Sequence, residues 1–373
     1  MNWLSKWLAC VVIVVAASAP LRALAGSAST GDRMAEWAAA QEFSGVIAVR
    51  KAGMAPVQKA FGIADEETGR AITPETVFQA GSVSKYFAAV AAFGMAERGL
   101  VDLDAPISTY LRDYREDTGA QVTLAHLLSN SSGIPNALSP VVNGLPAELR
   151  AHPGTTLASL GYADLSLADG VARYCSGALR FAPGSAFDYS NSNWPLVHLV
   201  LERAAGLPFH EVLKRYVFDP AGMHRSGTFV MDMRNAVPSR DDFAIGYDPA
   251  DPKHDGDYPL PAFAGGGAYT SALDLIALED ALHTGGLFGS ELLERFRTVV
   301  HPTEGYAYGG RFAEVELGGI ERKVSLLSGS NGATKVTLVY DTTTSNAVVM
   351  LSNTKGGQDS MFDFSGEVLE GMY

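Results

Sequence analysis

Two residues early in the chain have the types and spacing of a nucleophile and its base. Ser82 stands where a long apolar helix is predicted to begin, and Lys85 follows three residues later. Residues i and i+3 share one face of a helix, so the lysine amine can approach the serine hydroxyl. A serine hydroxyl becomes a good nucleophile when a neighbouring base takes its proton, and a desolvated lysine can supply that base. The helix N-terminus adds backbone N–H groups that favour developing negative charge.

A plainer interpretation of Ser82 is that its hydroxyl caps the helix, which is the usual role of a serine at this position. The Ser-x-x-Lys pattern is also not rare, because Ser352 and Lys355 match it at the end of a predicted strand. That second pair leads into a Gly-Gly turn, where the lysine need not face the serine. The pattern alone therefore leaves both interpretations of Ser82 open, as a nucleophile and as a helix cap.

A tyrosine and an asparagine form the second candidate group. Tyr189-Ser190-Asn191 is the only Tyr-x-Asn in the chain. Side chains two residues apart on an extended segment point to the same side, so the phenol and the amide can face one cleft. Tyrosine can relay a proton to a leaving group, and asparagine can hold an acyl substituent or the lysine. The alternative is a turn in which the tyrosine packs and the asparagine bridges the backbone.

The elements that must position these residues are strands at both chain ends and helices between them. Residues 44–51 and 57–63 predict an antiparallel hairpin, because they are rich in β-branched side chains and flank a Gly-Met-Ala-Pro turn. Residues 83–98 predict a long helix that Gly99 stops. The later predicted elements are helices at 194–205 and 272–283, strands at 308–317, 323–327, 335–340 and 347–351, and a short helix near 366–372.

This order of elements predicts an α/β (α+β) fold with one antiparallel sheet built from both chain ends and flanked by helices. The sheet domain is expected to comprise residues 26–115 and 259–373. A helical domain, residues 116–258, is expected to be inserted between those two parts.

In combination, these motifs resemble the serine β-lactamase/penicillin-binding-protein superfamily, and most closely its branch of class C β-lactamases, DD-peptidases and β-lactamase-fold esterases. The likeness covers residues 34–372 and includes the segments 100–107, 122–135, 217–223 and 265–267. It implies a sheet domain and a helical domain with the active site between them. It also implies that Ser82 is the nucleophile, Lys85 its base and Tyr189 a proton shuttle, while Asn191 orients Lys85 or the substrate. The resemblance implies no cofactor and no metal.

The third family motif, usually Lys/His-Thr-Gly on a strand, is where this chain departs from the pattern. Its position falls at Leu327-Ser328-Gly329, which retains the hydroxyl and the glycine but lacks the cation. The apolar Leu327 is expected to disfavour anionic substrates and to favour neutral esters or amides. Gly329 would let the strand approach the substrate, and the Ser330 N–H would pair with the Ser82 N–H as an oxyanion hole.

Another cation could replace the missing one, and Lys323 and Lys335 are the two candidates that strand alternation leaves open. Three segments spell parts of the motif elsewhere but lie at predicted turns or at a helix end. These misplaced matches are His283-Thr284-Gly285, Lys51-Ala52-Gly53 and Lys355-Gly356-Gly357. His126 and His198 are interpreted as structural, and neither has a spacing that favours a Ser-His-Asp triad.

Composition limits the class of protein. The chain has 373 residues, a net charge of -13 and 47% hydrophobic residues, enough for a large core and incompatible with a disordered protein. The acidic excess argues against nucleic-acid binding, because no basic cluster offsets it. The expected partner is a small-molecule acyl ester, amide or β-lactam substrate, and the oligomeric state stays open.

The N-terminus has the order of a secretory signal. Residues 1–25 carry Lys6, an apolar run over 8–19 and Ala23-Leu24-Ala25, so cleavage is expected after Ala25. The run is short for a bilayer span, so no stable membrane span is expected after cleavage, although a retained anchor is the alternative. Cleavage would leave Cys175 as the single cysteine, interpreted as a buried or bystander thiol. The protein is therefore predicted to be secreted or periplasmic. The resemblance to the family implies that this location is the bacterial cell envelope.

The functional prediction is a serine hydrolase that acts through an acyl-enzyme, with esterase-like activity on small acyl substrates. The same chemistry leaves β-lactamase and D-amino-acid-specific (DD-) peptidase activity open. A binding or sensor protein that is acylated without turnover is a further alternative, motivated by the incomplete third motif. The last alternative is a scaffold protein that is never acylated.

Overall fold

Short and long strands alternate with helices along the chain. The computed structural model describes residues 29–140, 167–228, 242–247, 265–354 and 357–373. The predicted signal, residues 1–25, lies outside these ranges. The strands are β1 (Gly45–Arg50), β2 (Val57–Phe61), β3 (Ile63–Asp65), β4 (Arg70–Ala71), β5 (Phe78–Gln79), β6 (Gly227–Thr228), β7 (Ala268–Thr270), β8 (Arg311–Leu317), β9 (Ile320–Asn331), β10 (Thr334–Asp341) and β11 (Ala347–Ser352).

The helices lie before, between and after these strands. The α-helices are α1 (Thr30–Ala40), α2 (Val83–Glu97), α3 (Glu116–Gly119), α4 (Leu124–Leu128), α5 (Leu167–Tyr174), α6 (Asn193–Ala205), α7 (Phe209–Leu213), α8 (Asp219–Ala221), α9 (Ala272–His283), α10 (Ser290–Phe296) and α11 (Gln358–Glu370). Short 3₁₀ turns cover Ile107–Thr109 and Pro302–Glu304, and a π-helical turn covers Lys214–Phe218. No helix in the described ranges has the length and apolar character needed to cross a bilayer.

The main sheet joins the two ends of the chain. Its six strands run in the order β2-β1-β11-β10-β9-β8, and each neighbouring pair is antiparallel. The first strand, β1, pairs with the last, β11, from Gly45 opposite Ser352 to Arg50 opposite Ala347. The predicted fold class, an antiparallel sheet built from both chain ends with flanking helices, is therefore confirmed.

The central strands are apolar on both faces because helices cover the sheet on both sides. All residues of β11 are buried, and β10 is buried except at Lys335. One face packs on α1 and α11, with Ile47, Met350 and Phe364 in one cluster. The other face packs on the main core around α2. Each large apolar side chain buried in this way stabilises the fold by about 1.5–3 kcal/mol.

The helix α2 is the centre of the main core. Its residues from Val83 to Met95 are all buried, as expected for a helix that is apolar on every side. Phe87 packs edge-on against Phe218, with ring centroids 5.6 Å apart. This contact joins segments from the two predicted domains, residues 26–115 with 259–373 and residues 116–258. That division of the chain stays a prediction.

Two predicted elements are shorter than the elements in the structure. The last helix begins at Gln358 instead of near residue 366, because Met361 and Phe364 in its first half also pack against the sheet. The strand predicted over 323–327 extends over Ile320–Asn331. Its extra length continues through Ser328 and Gly329 and carries both residues toward the start of α2.

Cys175 is a buried thiol, as interpreted from the sequence. It is 1% exposed and forms no disulfide. Burial raises the pKa of this thiol to about 12. Since the thiolate is the reactive form, Cys175 has the character of an inert core residue.

Candidate active site

Ser82 lies at the first turn of α2, but its hydroxyl does not cap the helix. The side chain makes no capping hydrogen bond. The Ser82 Oγ instead accepts hydrogen bonds from Lys85 Nζ at 3.2 Å and from the Tyr189 hydroxyl at 3.0 Å. In the described ranges, the hydroxyls of Ser29, Thr123 and Ser271 do cap helices, and each accepts from the backbone N–H three residues on. The helix-cap interpretation of Ser82 is therefore wrong.

Lys85 is almost fully enclosed, with 2% of its surface exposed. Besides Ser82, its Nζ donates to the carbonyl oxygen of Gly265 at 2.7 Å. The same nitrogen lies 5.2 Å from the ring centroid of Tyr189 and 5.7 Å from that of Trp194. Aromatic faces attract a cation, so the rings and the carbonyl hold the amine against the serine. No carboxylate in the described part of the chain forms an ion pair with Lys85.

The loop that carries Tyr189 is fixed by asparagine side chains. The backbone N–H of Ser190 donates to Asn130 Oδ1 at 3.2 Å, and Asn136 Nδ2 donates to the carbonyl of Tyr189 at 3.1 Å. Asn130 itself has a φ of 55° and is fully buried. These bonds set the position of the Tyr189 backbone and so bring its hydroxyl to Ser82.

The surroundings of Tyr189 favour its ionised form. Burial by itself would raise the pKa of the phenol, but the positive charge of Lys85, the hydrogen bond with Ser82 and the charge of Arg311 outweigh it and lower the pKa. The neighbouring Tyr306, whose ring lies 6.2 Å away edge-on, has its pKa raised well above the usual value by burial and by Tyr189. Of this pair, Tyr189 is the phenol that can give up its proton.

Asn191 lies on the same loop but points into a hydrogen-bond network of the loop itself. Its Nδ2 donates to Ser139 Oγ at 2.8 Å, and its backbone N–H donates to Asn136 Oδ1 at 3.1 Å. Lys85 makes its hydrogen bonds to Ser82 and Gly265. The structure therefore brings Ser82, Lys85 and Tyr189 together and does not join Asn191 to the lysine. A role of Asn191 in orienting the substrate stays a prediction.

The third motif lies on β9, where that strand extends past its edge neighbour. Pairing with β8 ends at Leu326, so Ser328, Gly329 and Ser330 are free of β8 on that side. A Cβ on Gly329 would lie 2.1 Å from the carbonyl oxygen of Ala80. Gly81, with a φ of 52°, also lies close to the Ser330 backbone, since a Cβ there would lie 2.6 Å from the Ser330 nitrogen. The two glycines thus let β9 lie directly against the backbone that precedes Ser82.

Replacing Gly329 by alanine is expected to lower kcat/KM for a small ester by about 10- to 100-fold, since displacing reacting groups by about 1 Å has effects of this size. The added methyl group collides with the Ala80 carbonyl and must push β9 away from Ser82. Steady-state kinetics measures the loss. The control is Gly94→Ala in α2, where the backbone is helical and an added Cβ meets nothing closer than the Tyr216 carbonyl oxygen at 3.6 Å. Equal losses in both variants would contradict the expectation.

Lys323 and Lys335 are the two candidates to replace the cation that the third motif lacks. Leu327 is 2% exposed and belongs to the main core. Lys335 donates to Ser330 Oγ at 2.8 Å and to the Gly332 carbonyl at 2.9 Å. Lys323 lies opposite Glu314 in the sheet. Lys335 is thus the nearer of the two to the motif.

Sequence reasoning missed the other wall of the cleft. The cleft in front of Ser82 is lined by residues of α2, the Tyr189 loop, β9 and the segment that leads into β8: Ser82, Val83, Tyr189, Tyr306, Gly309, Gly310, Arg311, Leu326, Leu327 and Ser328. Arg311 begins a strand that the sequence predicted, but its nearness to Ser82 depends on the sheet order. The sequence did contain one signal for Arg311 at the cleft. The chain lacks the cation of the third motif, and this arginine directly follows Gly309-Gly310.

The structure describes two of the three misplaced matches and both histidines interpreted from the sequence, and none of these lies on β9, the strand of the third motif. His283 ends α9 and pairs with buried Glu279 at 3.1 Å, and Gly285 follows with a φ of 79°, so this match lies on no strand. Gly53 lies between β1 and β2, as predicted, while Lys355 and Gly356 fall outside the described residues. His126 and His198, which were interpreted as structural, bond within their own elements. His126 Nδ1 accepts from the Thr123 N–H at 3.2 Å, and His198 pairs with Glu202 at 3.2 Å.

Comparison with known proteins places these features in a family. A family model described as Beta-lactamase matches residues 31–368. Esterase EstB of Burkholderia gladioli is 32% identical over 225 residues, covering 58% of this chain and 54% of that protein. The putative penicillin-binding protein PbpX of Bacillus subtilis is 28% identical over 274 residues, covering 72% of this chain and 62% of that protein. The match thus spans less than two thirds of each relative's length.

A solved structure extends the likeness to the whole fold. The crystal structure of a penicillin-binding protein from Bacillus halodurans superposes with a TM-score of 0.73 at 25% identity, covering 92% of this chain and 99% of that one. The region that the family model matches, residues 31–368, contains the sheet from both chain ends, α2 with Ser82 and Lys85, and the Tyr189 loop. By the extent of the family match and the likeness of the fold, the chain belongs to the beta-lactamase family.

Proposed function

We propose that this protein is a serine hydrolase that transfers acyl groups through a Ser82 acyl-enzyme and acts as an esterase on small acyl substrates. One observation carries the proposal: Ser82 Oγ, partly exposed at the cleft, is hydrogen-bonded to both Lys85 and Tyr189. The relative named Esterase EstB supports the choice of ester substrates. Among the described residues, no other serine is joined to a lysine and a tyrosine in this way.

In the first half-reaction, Ser82 Oγ attacks the carbonyl carbon of the ester. The proton of Ser82 passes to the Tyr189 phenolate, while Lys85 remains beside both oxygens as a positive charge. The backbone N–H groups of Ser82 and Ser330 would stabilise the oxygen that becomes negative. Collapse of this intermediate breaks the bond to the leaving alcohol, which takes the proton from Tyr189. The products are the free alcohol and an ester of Ser82.

In the second half-reaction, water replaces the alcohol and the steps reverse. Tyr189 takes one proton from the water as its oxygen bonds to the acyl carbon. The bond between that carbon and Ser82 Oγ then breaks, and Tyr189 returns the proton to Ser82. The acid is released, and the enzyme regains its starting state. Tyr189 is taken as the proton acceptor because its hydroxyl lies 3.0 Å from Ser82 Oγ, while the Lys85 amine also donates to the Gly265 carbonyl at 2.7 Å. The lowered pKa of the phenol agrees with this choice.

The rate is expected to depend on the ionisation of Tyr189. With p-nitrophenyl butyrate, kcat/KM should fall as the pH drops through the pKa of Tyr189, because protonation removes the base. The midpoint should lie below about 10, the usual tyrosine value, since the charges of Lys85 and Arg311 lower this pKa. A profile of kcat/KM against pH measures this midpoint, and the fall at low pH should be absent in Tyr189→Phe. A midpoint at or above the ordinary tyrosine pKa would contradict the assignment of Tyr189 as the base.

The proposal is tested by turnover together with covalent labelling. Purified protein is mixed with p-nitrophenyl butyrate and, separately, with a chromogenic cephalosporin, and hydrolysis is followed. Samples quenched with acid are then digested, and the masses of their peptides are measured by mass spectrometry. We expect ester hydrolysis and an acyl group on the peptide that contains Ser82. Cephalosporin turnover would favour a β-lactamase, and a stable Ser82 adduct without turnover would favour a sensor. No acylation of Ser82 by either substrate would contradict the proposal.

Secretion is a second part of the proposed function. Residues 1–25 have the composition and order of a Sec-type signal, so we place the mature enzyme in the periplasm or outside the cell. N-terminal sequencing of the exported protein should begin at Gly26. A start at Met1 on an exported, membrane-bound chain would instead indicate a retained anchor.

A further inference from the structure

The peptide group that joins Gly329 to Ser330 is the part of the third motif that lies against the start of α2. A Cβ on Gly81, the residue before Ser82, would lie 2.6 Å from the Ser330 nitrogen. The Ser330 N–H is the group that, together with the Ser82 N–H, would stabilise the negative oxygen in the proposed reaction. The direction in which this N–H points therefore affects the rate.

The carbonyl of the same peptide group is held by Gln358, the first residue of α11. Gln358 Nε2 donates to the Gly329 carbonyl oxygen at 3.0 Å and to the Val336 carbonyl oxygen at 3.2 Å. A side-chain amide has two N–H donors, so these two bonds use both of them. Val336 lies opposite Gly329 on β10, so this one side chain ties the two strands together at the third motif.

A hydrogen bond to the carbonyl also fixes the direction of the N–H. In a planar trans peptide, the C=O and the N–H point in opposite directions. The Gly329 carbonyl lies on the β10 side, because one Gln358 nitrogen reaches both it and the Val336 carbonyl. The Ser330 N–H must then point away from β10, toward the side where the pairing of β9 with β8 has ended at Leu326. The bond to the carbonyl also polarises the peptide group and strengthens its N–H as a donor.

This part of β9 is held from both faces of the sheet. On the face that packs on α2, a Cβ on Gly329 would lie 2.1 Å from the carbonyl oxygen of Ala80. On the other face packs α11, which begins with Gln358. The end of β9 is tied as well, since Asn331 Nδ2 donates to Gln79 Oε1. Of these contacts, the hydrogen bond from Gln358 acts on the carbonyl that shares a peptide group with the proposed oxyanion donor.

We propose that Gln358 is a positioning residue for the oxyanion hole. By holding the Gly329 carbonyl, it keeps the Ser330 N–H aimed at the oxygen that becomes negative in the transition state. This inference rests on the proposed acyl transfer to Ser82 and adds to it a residue outside the three motifs. Because Gln358 acts through a group that binds the developing charge, its loss should slow acylation and leave binding of the uncharged ester unaffected.

Single-turnover kinetics with p-nitrophenyl butyrate tests this role. Gln358→Met removes both N–H donors but keeps a side chain of similar length and helix propensity. The rate constant for acylation of Ser82 should fall about 10- to 50-fold, less than the roughly 10²- to 10³-fold for outright loss of an oxyanion donor. The dependence of the acylation rate on ester concentration also gives the dissociation constant of the ester, which should stay unchanged. Gln358→Glu has the same shape but places a carboxylate, which only accepts hydrogen bonds, against two carbonyl oxygens, so it should acylate more slowly still.

The matched control is Gln121→Met. Gln121 Nε2 donates to the backbone carbonyl of Asp117 at 2.6 Å on an exposed part of the surface. The substitution removes the same kind of hydrogen bond at a site outside the main sheet, so both constants should equal those of the wild type. If Gln358→Met loses no more acylation rate than Gln121→Met, or if Gln358→Glu acylates as fast as the wild type, the proposal is wrong. A weaker binding of the ester that accounts for the whole loss would show a structural role only and would also overturn it.

A binding measurement examines the oxyanion hole without turnover. Boronic acids form reversible tetrahedral adducts with nucleophilic serines, and these adducts resemble the transition state of acyl transfer. Calorimetry should show that Gln358→Met binds phenylboronic acid about 10- to 50-fold more weakly than the wild type, in step with its slower acylation. Gln121→Met should bind it as the wild type does.

The two measurements distinguish failure of this inference from failure of the proposed function. Wild-type acylation and wild-type boronic acid affinity in Gln358→Met would overturn the role of Gln358 and leave the proposed hydrolase intact. Absence of any acylation of Ser82 in the wild-type protein would instead contradict the proposed function, and the role of Gln358 would be overturned with it.

Discussion

Ser82→Ala is expected to lower kcat/KM for p-nitrophenyl butyrate by at least about 10⁴-fold, because removal of a nucleophile that acts with its base disables the whole unit. The hydroxyl accepts hydrogen bonds from Lys85 and Tyr189 and makes no helix cap. The fold should therefore not lose a capping bond in the variant. Steady-state kinetics measures the rate, and the mass of the quenched protein should show no acyl adduct.

The matched control for this substitution is a serine that does cap a helix. Ser29 accepts from the Asp32 N–H at 3.2 Å at the start of α1. Ser29→Ala should therefore lower the free energy of unfolding by about 1 kcal/mol while leaving the rate unchanged. The opposite pattern, a lost cap at Ser82 with full ester turnover, would show that the chemistry lies elsewhere in the molecule.

Tyr189→Phe is expected to lower kcat/KM by about 10³-fold, within the range for removal of a general acid–base group. The change removes the hydroxyl that lies 3.0 Å from Ser82 Oγ but keeps the ring that faces Lys85 at 5.2 Å. The variant should therefore retain the packing of the lysine. A loss of the same size in kcat at saturating ester would place the defect in the chemical steps.

Tyr306, the neighbour of Tyr189, provides the control substitution for Tyr189→Phe. Its ring packs against Tyr189, but burial raises the pKa of its hydroxyl well above the usual value. Tyr306→Phe should therefore cost less than about 10-fold in kcat/KM, because this phenol does not exchange protons at ordinary pH. If the Tyr306 variant loses more activity than the Tyr189 variant, the assignment of the proton acceptor is wrong.

The sequence by itself determined the features that depend on local spacing. The long helix was predictable because an unbroken apolar run from residue 83 ends at Gly99. The approach of Lys85 to Ser82 follows from their three-residue spacing on that helix. The position of the third motif at Leu327-Ser328-Gly329 came from counting back from Tyr340-Asp341 along the family pattern. The first two inferences need only neighbours in the sequence, while the third also depends on the resemblance.

The tertiary structure decided which distant groups meet. Tyr189 reaches Ser82 from 107 residues away, and the Gly265 carbonyl reaches Lys85 from 180 residues away. No local rule fixes such contacts, because they depend on loop paths and on the order of strands. For the same reason the sequence left open whether Asn191 orients Lys85 or the substrate, and in the structure its side chain bonds Ser139. Arg311 comes to the cleft because β8 pairs beside β9 and its two preceding glycines pack on α2.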